Sequence, residues 1–391
     1  MPDVRLLEVR NTYKWGGGPD KTILLSAEKH DTTRVKVVVA YIRDVNDGEF
    51  RITNKARAKG LTYHEIEERG KFDLRVLRAL RDLIVQYDIN VIHGHDYKSD
   101  LFAYLVRKWL WNKQIALVST AHGWALVGAR GELYRKMDLF LMRRFDRLIA
   151  VSHATKDLMV SDNVPAGKIS VIHNAIDTET WSRVSVKIDL RKQLGLDKAF
   201  PVVGYVGRLT EEKELGNWLR VAHRVATKCQ HARFVIVGEG RDEMLRAKLV
   251  ALAQTLGIAD RVLFLGYRED LVPIYAMFDV FLLASSREGL CNSILEAMSL
   301  GVPVVSTDVG GSRELVVDGQ TGFLLSHGDV DGLAAAVLLL AESEPLRLQL
   351  GQGGRHRIEQ DFAFGVRLRR VEDLYEEVIA SQGPHSPNLM K

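Results

Sequence analysis

The sequence predicts an α/β fold made of two parallel-sheet units that follow one another along the chain. Short apolar runs rich in β-branched residues alternate with segments of helical periodicity over most of the 391 residues, which is typical of parallel strands joined by crossover helices. The pattern begins again after residue 200. A chain of this length is also too long for one ordinary hydrophobic core, so two domains of roughly 200 residues each are expected.

Four apolar runs in the first half are predicted to be strands buried on both faces, at residues 35–41, 91–93, 116–120 and 148–151. Leu77, Leu80 and Ile84 recur at helical spacing, which predicts an amphipathic helix over residues 74–87. Because parallel strands need crossover connections, this alternation predicts the first parallel sheet.

The second half repeats the alternation. Predicted strands lie at 202–206, 234–237, 262–265, 280–284 and 303–307, and predicted helices at 216–228, 243–256 and 293–300. The polar stretch 175–195 shows no strand pattern, so the linker is expected there, beside a ligand cleft. The predicted organisation is a domain over residues 1–180, a second over 181–365, an amphipathic helix over 366–380 and a frayed tail over 381–391.

Composition predicts a globular cytoplasmic protein. Hydrophobic residues make up 46% of the chain and charged residues 27%, which argues against disordered and fibrous classes. No segment has the apolar length of a signal peptide or of a membrane span. Cys229 and Cys291 are the only cysteines, too few for a disulfide framework or a thiolate metal cluster.

Two cations follow the strand predicted at 202–206. Arg208 comes directly after Gly207, and Lys213 comes five residues later. Both are thus expected at the carboxyl end of a parallel strand, where open sheets bind ligands. An arginine fork and a lysine point charge can together neutralise a diphosphate. Three nearby glutamates leave open that these cations belong to an ordinary solvated loop.

A glycine-containing loop opens a helix after the strand predicted at 280–284. The N–H groups of Gly289, Leu290 and Cys291 are expected to point outward at the start of this helix, where helices bind anions. Glu288 lies in the same loop, within reach of sugar hydroxyls.

Glu296 lies eight residues after Glu288, about one turn inside the predicted helix. Acidic residues accept from ribose hydroxyls in other nucleotide-binding folds, which makes Glu296 a candidate for that contact. The alternative is a helix-surface glutamate. Its apolar neighbours make burial without a partner costly, which favours a ligand role.

The ordered set of these motifs resembles family 4 of the retaining glycosyltransferases. The likeness rests on Gly207-Arg208-Leu209 with Lys213, on Glu288 and Glu296 with seven residues between them, and on Gly301-x-Pro303-Val304-Val305. Gly16-Gly17-Gly18, Val151-Ser152-His153 and residues 171–177 resemble other recurring segments of the family. The resemblance therefore covers nearly the whole chain.

This resemblance implies the GT-B fold, in which two Rossmann-like domains face one another across a cleft and a C-terminal helix crosses back to the first domain. It also implies four roles. Arg208 and Lys213 would hold the donor pyrophosphate, Glu288 would orient the donor sugar, and Glu296 would bind the ribose.

Other family positions fall on the loops of both domains. Gly16, Gly17 and Gly18 would let the backbone approach the phosphates, as glycine permits. Tyr267 and Arg268 fall where the family's backbone contacts the base.

Three histidines end predicted strands of the first half. His122 matches a family position that faces the donor sugar, although a single histidine is more often structural. His93 and His95 are candidates for the acceptor side. No metal is expected, since His-x-His without a thiolate is a weak zinc pattern. Residues 329–331 have the D-x-D form, but they precede an apolar helix, which indicates helix capping.

Two positions depart from the family pattern without opposing catalysis: Cys291 replaces a common proline and Ala175 a common glycine. The implied reaction is the retaining transfer of a sugar from a nucleotide diphosphate sugar, with no other cofactor, in which the phosphate helps to take the acceptor proton. A double displacement stays open. The alternatives are another GT-B enzyme, such as a phosphorylase or a sugar-nucleotide epimerase, and a catalytically silent sugar-nucleotide-binding protein.

The expected partners are a nucleotide sugar and a glycan or lipid-linked acceptor of cell-surface polysaccharide or lipopolysaccharide synthesis, and not nucleic acid. Residues 1–180 carry 29 Lys and Arg against 23 Asp and Glu. Within them, residues 129–147 interleave Leu133, Met137, Phe140, Leu141 and Phe145 with several arginines. The pattern predicts either a helix packed on the first sheet or one that also associates weakly with the inner face of an anionic membrane.

Overall fold

The structure, a computed structural model, describes residues 4–70, 72–123, 128–240 and 243–382. Its contacts divide the chain into two compact units. Unit 1 comprises the residues up to Asn174 together with those from Gly365 onward, and unit 2 comprises Ala175–Phe364. Each unit contains one parallel sheet.

The strands of unit 1 are β1 (Val4–Asn11), β2 (Val35–Asp44), β3 (Tyr63–Glu68), β4 (Val91–Gly94), β5 (Ala116–Ala121), β6 (Arg147–Ala150) and β7 (Ile169–Val171). Those of unit 2 are β8 (Val202–Val206), β9 (Arg233–Val237), β10 (Val262–Gly266), β11 (Val280–Leu283), β12 (Val304–Thr307) and β13 (Gly322–Leu325). All pair in parallel, in the orders β3-β2-β1-β4-β5-β6-β7 and β10-β9-β8-β11-β12-β13. The direction of winding reverses between β1 and β4 and between β8 and β11, and open sheets bind ligands at such switch points.

The described helices lie between these strands and after the last of them. They are α1 (Gly18–Lys29), α2 (Ile52–Ala58), α3 (Leu74–Gln86), α4 (Tyr97–Trp109), α5 (Gly128–Met142), α6 (His153–Ser161), α7 (Leu190–Gln193), α8 (Leu215–Lys228), α9 (Glu243–Thr255), α10 (Leu271–Ala276), α11 (Asn292–Ser299), α12 (Ser312–Leu315), α13 (Val330–Glu342), α14 (Glu344–Asp361) and α15 (Phe364–Ser381). The predicted α/β class with two parallel-sheet units is confirmed.

The last helix, α15, packs on the sheet of unit 1. Val371, Leu374 and Val378 lie in one buried cluster with Val4 and Leu6 of β1, so the amphipathic face seen in the sequence is covered by this sheet. The expectation that the C-terminal helix returns to the first domain is confirmed. This helix also brings polar side chains over the ends of β1 and β4.

Four strands escaped the sequence prediction: β1, β3, β7 and β13. Arg5, Glu8 and Arg10 interrupt the apolar run of β1, although Glu8 is buried in the structure. The strand β3 is an edge strand that carries three glutamates, and charged side chains are common on edges because they prevent pairing with other chains. Periodicity alone therefore finds the apolar centre of a sheet better than its charged members.

The helices α13 and α5 test the expectations for the D-x-D sequence and for residues 129–147. Asp329 accepts from the N–H of Gly332 at 2.8 Å at the start of α13, which confirms that the D-x-D sequence caps a helix. In α5 and the turn after it, Leu141 and Phe145 are buried, whereas Leu133 and Phe140 are 59% and 50% exposed. The Arg130 side chain lies outside the described part of the chain. None of the described helices is long and apolar enough to cross a membrane.

Candidate functional site

The candidate donor site of unit 2 lies at the switch point of its sheet, where β8 pairs with β11. The loops that follow these two strands are joined by hydrogen bonds. Ser286 donates from its N–H to the carbonyl oxygen of Glu212 at 2.9 Å, and from its hydroxyl to the same oxygen at 3.2 Å. The two motifs found in the sequence are therefore neighbours in space.

Arg208 begins the loop after β8 with an exposed side chain. The buried hydroxyl of Tyr205 donates to the carbonyl oxygen of Arg208 at 2.8 Å and fixes the backbone there. Within the described ranges, no carboxylate forms an ion pair with the guanidinium of Arg208. This cation is available to an anionic ligand.

Lys213 forms a buried ion pair with Glu288. Its Nζ lies 2.7 Å from Oε1 and 2.9 Å from Oε2 of that carboxylate, and the two side chains are only 15% and 7% exposed. Burial alone would lower the pKa of Lys213, but the Glu288 carboxylate outweighs it and raises that pKa. Lys213 is therefore a cation at neutral pH, held by Glu288 of the loop that follows β11.

The helix α11 starts directly after this loop, with Cys291 as its N-cap residue. Cys291 makes no side-chain capping bond to the helix backbone; its sulfur lies 3.1 Å from the Ser293 hydroxyl. Burial, with Glu288 nearby, raises the pKa of the Cys291 thiol to about 11. This cysteine is thus a neutral thiol rather than a nucleophile, and Gly289, Leu290 and Cys291 stand where the sequence places the anion-binding turn.

Glu296 is buried in α11 and does have a partner. The hydroxyl of Tyr275 donates to its Oε2 at 2.7 Å. Tyr275 of α10 thus supplies a partner within unit 2, so the burial of Glu296 does not by itself favour a ligand role. Its proposed contact with ribose stays a prediction.

A neighbouring glycine pair escaped the sequence analysis. The loop after β9 contains Gly238-Glu239-Gly240, and a Cβ at Gly238 would lie 1.9 Å from the carbonyl oxygen of Gly207. At Gly240, a Cβ would lie 2.3 Å from the carbonyl oxygen of Leu209. The two glycines let this loop lie against the Gly207 segment, and the G-x-G spacing directly after a strand is the signal that could have revealed it.

Arg268, expected near the base, lies in the loop after β10. It forms an ion pair with Asp270 at 2.5 Å and is 33% exposed. The N–H of the preceding Tyr267 donates to Oε1 of Glu239 at 3.3 Å. The backbone expected to contact a base is thus hydrogen-bonded to a side chain of the unit.

In unit 1, the glycine loop after β1 is fixed by one aspartate. Gly16 has φ +75°, and a Cβ there would lie 2.8 Å from the Asp20 carboxylate. Asp20 accepts from the N–H of Gly17 at 2.6 Å and from Arg10 at 2.8 Å. Arg10 in turn donates to the carbonyl oxygen of His95 at 2.8 Å, which connects the loop to the histidines. Gly18 begins α1.

Glu8, His93 and Thr120 lie on one face of the sheet, beneath α15. Side chains alternate along a strand, so they continue the buried rows begun by Leu6, Val91 and Val118. His93 is buried, with Nδ1 2.6 Å from the Tyr375 hydroxyl and Nε2 2.7 Å from the Thr120 hydroxyl.

Because both of its ring nitrogens have partners inside unit 1, these contacts favour a structural role for His93. Its acceptor-side role stays a prediction. Glu8 was missed from sequence, although a charged residue within a buried strand is a detectable signal.

His95 and His122 continue from Glu8 toward the end of β5. His95 Nε2 lies 2.5 Å from Oε2 of Glu8, and His95 Nδ1 lies 3.3 Å from His122 Nε2. Burial and the neighbouring His93 lower the pKa of His95 to about 4, and burial lowers the pKa of His122 well below its usual value. Burial alone would raise the pKa of Glu8, but His93 and His95 hold it well below the ordinary range.

Glu8, His93 and His95 also offer three ligand atoms within 4.8 Å of one another, close enough to hold a metal ion. In the structure the same atoms bond to one another and to Tyr375. The expectation that the enzyme needs no metal therefore stays a prediction, and chelation is its test.

Comparison with known proteins identifies the family to which this chain belongs. The family model described as Glycosyltransferase Family 4 matches residues 17–180, and the one described as Glycosyl transferases group 1 matches residues 186–357. The lipopolysaccharide core biosynthesis mannosyltransferase LpsB of Rhizobium meliloti (strain 1021) is 31% identical over 246 residues, which cover 61% of this chain and 68% of that protein.

Two further proteins extend the likeness over more of the chain. The UDP-Gal:alpha-D-GlcNAc-diphosphoundecaprenol alpha-1,3-galactosyltransferase of Escherichia coli is 27% identical over 79% of this chain and 81% of its own. The crystal structure of Anabaena Alr3699/HepE in complex with UDP-glucose shares the fold with a TM-score of 0.82 and 22% identity, over 96% of this chain and 99% of that one. The two Rossmann-like sheets, the strand-end motifs and these matches agree: the chain belongs to the GT-B glycosyl transferases group 1, with a Glycosyltransferase Family 4 amino-terminal half, and is a glycosyltransferase.

Proposed function

We propose that this glycosyltransferase takes its sugar from a nucleotide diphosphate sugar and transfers it with retention of anomeric configuration, without a bound metal. The observation that carries the proposal is the arrangement at the β8 and β11 ends. Arg208 is an exposed cation that pairs with no carboxylate in the described residues, and it lies on the same loop as buried Lys213. Two cations beside a helix N-terminus suit a diphosphate.

In this proposal, the two cations stabilise the charge that builds on the departing nucleoside diphosphate. Interactions that strengthen in the transition state raise turnover. Glu288 accepts hydrogen bonds from donor-sugar hydroxyls while its carboxylate stays paired with Lys213. Glu296 accepts from the ribose.

The proposal of retention comes from the family resemblance, and the described part of the donor site offers no evident nucleophile for a double displacement. The Cys291 thiol is protonated because burial raises its pKa, and Glu288 is occupied by Lys213. A same-face displacement then fits better than a covalent intermediate: the acceptor oxygen bonds to the anomeric carbon as the phosphate oxygen leaves, and the departing phosphate takes the acceptor proton.

The names of the relatives guide the choice of substrates. The Escherichia coli relative uses UDP-Gal and a diphosphoundecaprenol-linked acceptor, and the Anabaena protein binds UDP-glucose. We therefore propose a uridine diphosphate sugar as donor and a glycan or lipid-linked acceptor of cell-surface polysaccharide synthesis. Such an acceptor places the enzyme in the cytoplasm at the inner face of the membrane, where α5 offers exposed Leu133 and Phe140.

The test uses water in place of the unidentified acceptor. Purified enzyme is incubated with UDP-glucose and with other nucleotide sugars, and proton NMR follows the first anomer of free sugar before mutarotation. We expect release of nucleoside diphosphate together with the anomer that matches the donor. Appearance of the opposite anomer first would contradict retention.

The same experiment separates the alternatives. An epimerase would change the sugar without releasing it from the nucleotide, and a phosphorylase would require inorganic phosphate. A silent binding protein would bind the donor and leave it intact, including after addition of candidate acceptors.

A further inference from the structure

Three side chains of unit 1 form a row of hydrogen bonds that runs from a buried carboxylate to the end of β5. Oε2 of Glu8 lies 2.5 Å from Nε2 of His95, and Nδ1 of His95 lies 3.3 Å from Nε2 of His122. The two imidazole rings are stacked, with centroids 5.5 Å apart and planes inclined by 27°. Glu8 and His95 are buried, whereas His122 is half-buried.

The carboxylate at one end of the row decides where the protons lie. An ionised carboxylate only accepts hydrogen bonds, so Nε2 of His95 carries a proton and donates it. A neutral imidazole has one N–H, so Nδ1 of His95 is an acceptor and Nε2 of His122 must donate to it. By the same rule, Nδ1 of His122 is left unprotonated.

The two histidines of the row are neutral and Glu8 is ionised, as this arrangement of protons requires. Burial lowers the pKa of both His95 and His122, so both rings are neutral at physiological pH. The bonds from His93 and His95 outweigh burial and lower the pKa of Glu8, so Glu8 is a carboxylate. The backbone of His95 is also fixed, since its N–H donates to the Ser99 hydroxyl at 3.0 Å.

The free end of the row is an acceptor that lacks a donor. Nδ1 of His122 is buried and has no hydrogen-bond partner in the ranges that the structure describes. A buried polar atom in this state is costly unless a ligand or water satisfies it. An unprotonated nitrogen calls for a hydroxyl or N–H donor and would repel an anionic oxygen.

We propose that Glu8 and His95 are positioning residues that hold His122 in the Nε2–H tautomer, so that its Nδ1 is left as a hydrogen-bond acceptor for a sugar hydroxyl. This inference rests on the proposed function, which supplies the sugar. Neither Glu8 nor His95 needs to contact the donor. Their effect passes through the tautomer of His122 alone.

The first test reads the tautomer directly in the free enzyme. Protein labelled with ¹⁵N-histidine is examined by long-range ¹H–¹⁵N correlation, and His122→Gln identifies the signals of His122. We expect unprotonated Nδ1 and protonated Nε2 in the wild-type protein. In Glu8→Gln, whose amide both donates and accepts, and in His95→Phe, which removes the acceptor for Nε2–H, we expect a mixture of tautomers.

Tyr375→Phe is the matched control. It removes a hydroxyl that lies 2.6 Å from Nδ1 of His93 and 3.4 Å from Oε1 of Glu8, so it perturbs the same buried cluster outside the row. The His122 tautomer should not change in this variant. If Glu8→Gln does not fold, the spectra of the wild-type protein and of His95→Phe still show whether the row sets the tautomer of His122.

The second test compares ligands with and without the sugar. A neutral hydrogen bond contributes up to a factor of about ten in binding, so Glu8→Gln should weaken UDP-glucose binding by about three- to tenfold and leave UDP binding unchanged. A general loss of structure would weaken both. Failure of the wild-type protein to bind either ligand would contradict the proposed function. The NMR spectra test the tautomer of His122 independently of ligand binding. Protonated Nδ1 of His122 in the wild type, or an unchanged tautomer in both variants, would overturn the inference.

Discussion

The Nζ of Lys213 lies between both carboxylate oxygens of Glu288, at 2.7 and 2.9 Å, on loops that follow different strands of one sheet. The lysine is thereby held at the edge where Arg208 is exposed. A diphosphate that binds at this edge would meet Lys213, already positioned by Glu288, and Arg208, which makes no ion pair with the residues that the structure describes. Under the proposed function, this pair couples stability to catalysis at Lys213, whereas the two are separable at Arg208.

Lys213→Met should lower both stability and turnover. Removing one partner of a buried ion pair leaves the other charge unpaired and costs about 3 kcal/mol, and the lost leaving-group contact should lower turnover on the order of 100-fold. Thermal unfolding and donor-hydrolysis rates measure the two effects. The double variant Lys213→Met with Glu288→Gln should regain part of the stability and none of the activity. If Lys213→Met is active and fully stable, Lys213 neither stabilises the fold nor binds the leaving group.

Glu296 should make the enzyme sensitive to the ribose hydroxyls. Wild-type protein is expected to bind UDP about tenfold more tightly than 2′-deoxy-UDP, because a hydrogen bond to a charged group contributes about 1.5 kcal/mol or more. Glu296→Gln should remove most of this preference. Tyr275→Phe, which deletes the partner at 2.7 Å, should lower stability while keeping the preference. Equal affinity of the wild type for both nucleotides would show that Glu296 does not read the ribose.

Chelation should leave activity intact. Arg208 and Lys213 can supply the charge that a metal ion provides in metal-dependent transferases, and the Glu8, His93 and His95 atoms bond to one another and to Tyr375 and Thr120. Dialysis against EDTA, followed by metal analysis and activity assay, checks both points. Loss of activity that magnesium or manganese restores would contradict this prediction, and tightly bound zinc that requires Glu8 would identify the histidine cluster as a metal site.

Weak, salt-sensitive binding to anionic vesicles is expected from α5. Arg144 stacks 3.4 Å from the centroid of half-exposed Phe140, and each exposed cation near such a surface contributes about 1 kcal/mol. Arg143→Glu with Arg144→Glu should abolish co-sedimentation at low salt. Lys228→Glu with Lys248→Glu, two exposed lysines of unit 2, is the control. If Arg143→Glu with Arg144→Glu does not change vesicle binding, α5 has no role at a membrane.

The sequence predicted the centre of each sheet, because buried parallel strands are continuous apolar runs. It failed at β1, where Glu8 interrupts such a run. The burial of the Glu8 carboxylate depends on a hydrogen bond with His95, 87 residues away along the chain. No local pattern reports a partner at that distance. Strand alternation, applied after the pairing of β1 with β4 is known, places Glu8 beside His93.

The sequence predicted that the loops after β8 and β11 are neighbours, but not the contacts between them. The strand-end rule brings Arg208 and Glu288 to one edge, since it depends only on chain direction. The Lys213–Glu288 pair spans 75 residues and depends on the register of β8 and β11. Tyr275 was likewise unforeseen, because α10 is short and its orientation toward α11 is set by packing.

Calorimetric titration of UDP into wild-type protein and Arg208→Ala tests the central claim most directly. The guanidinium is exposed and makes no ion pair within the described ranges, so the variant should keep wild-type thermal stability. A charge-assisted contact to phosphate contributes about 1.5–3 kcal/mol, so UDP should bind at least tenfold more weakly to the variant. Arg224→Ala, an exposed arginine of α8 paired with Asp331, should bind UDP as the wild type does. Unchanged UDP affinity in a stable Arg208→Ala would contradict the claim that this strand end holds the donor diphosphate.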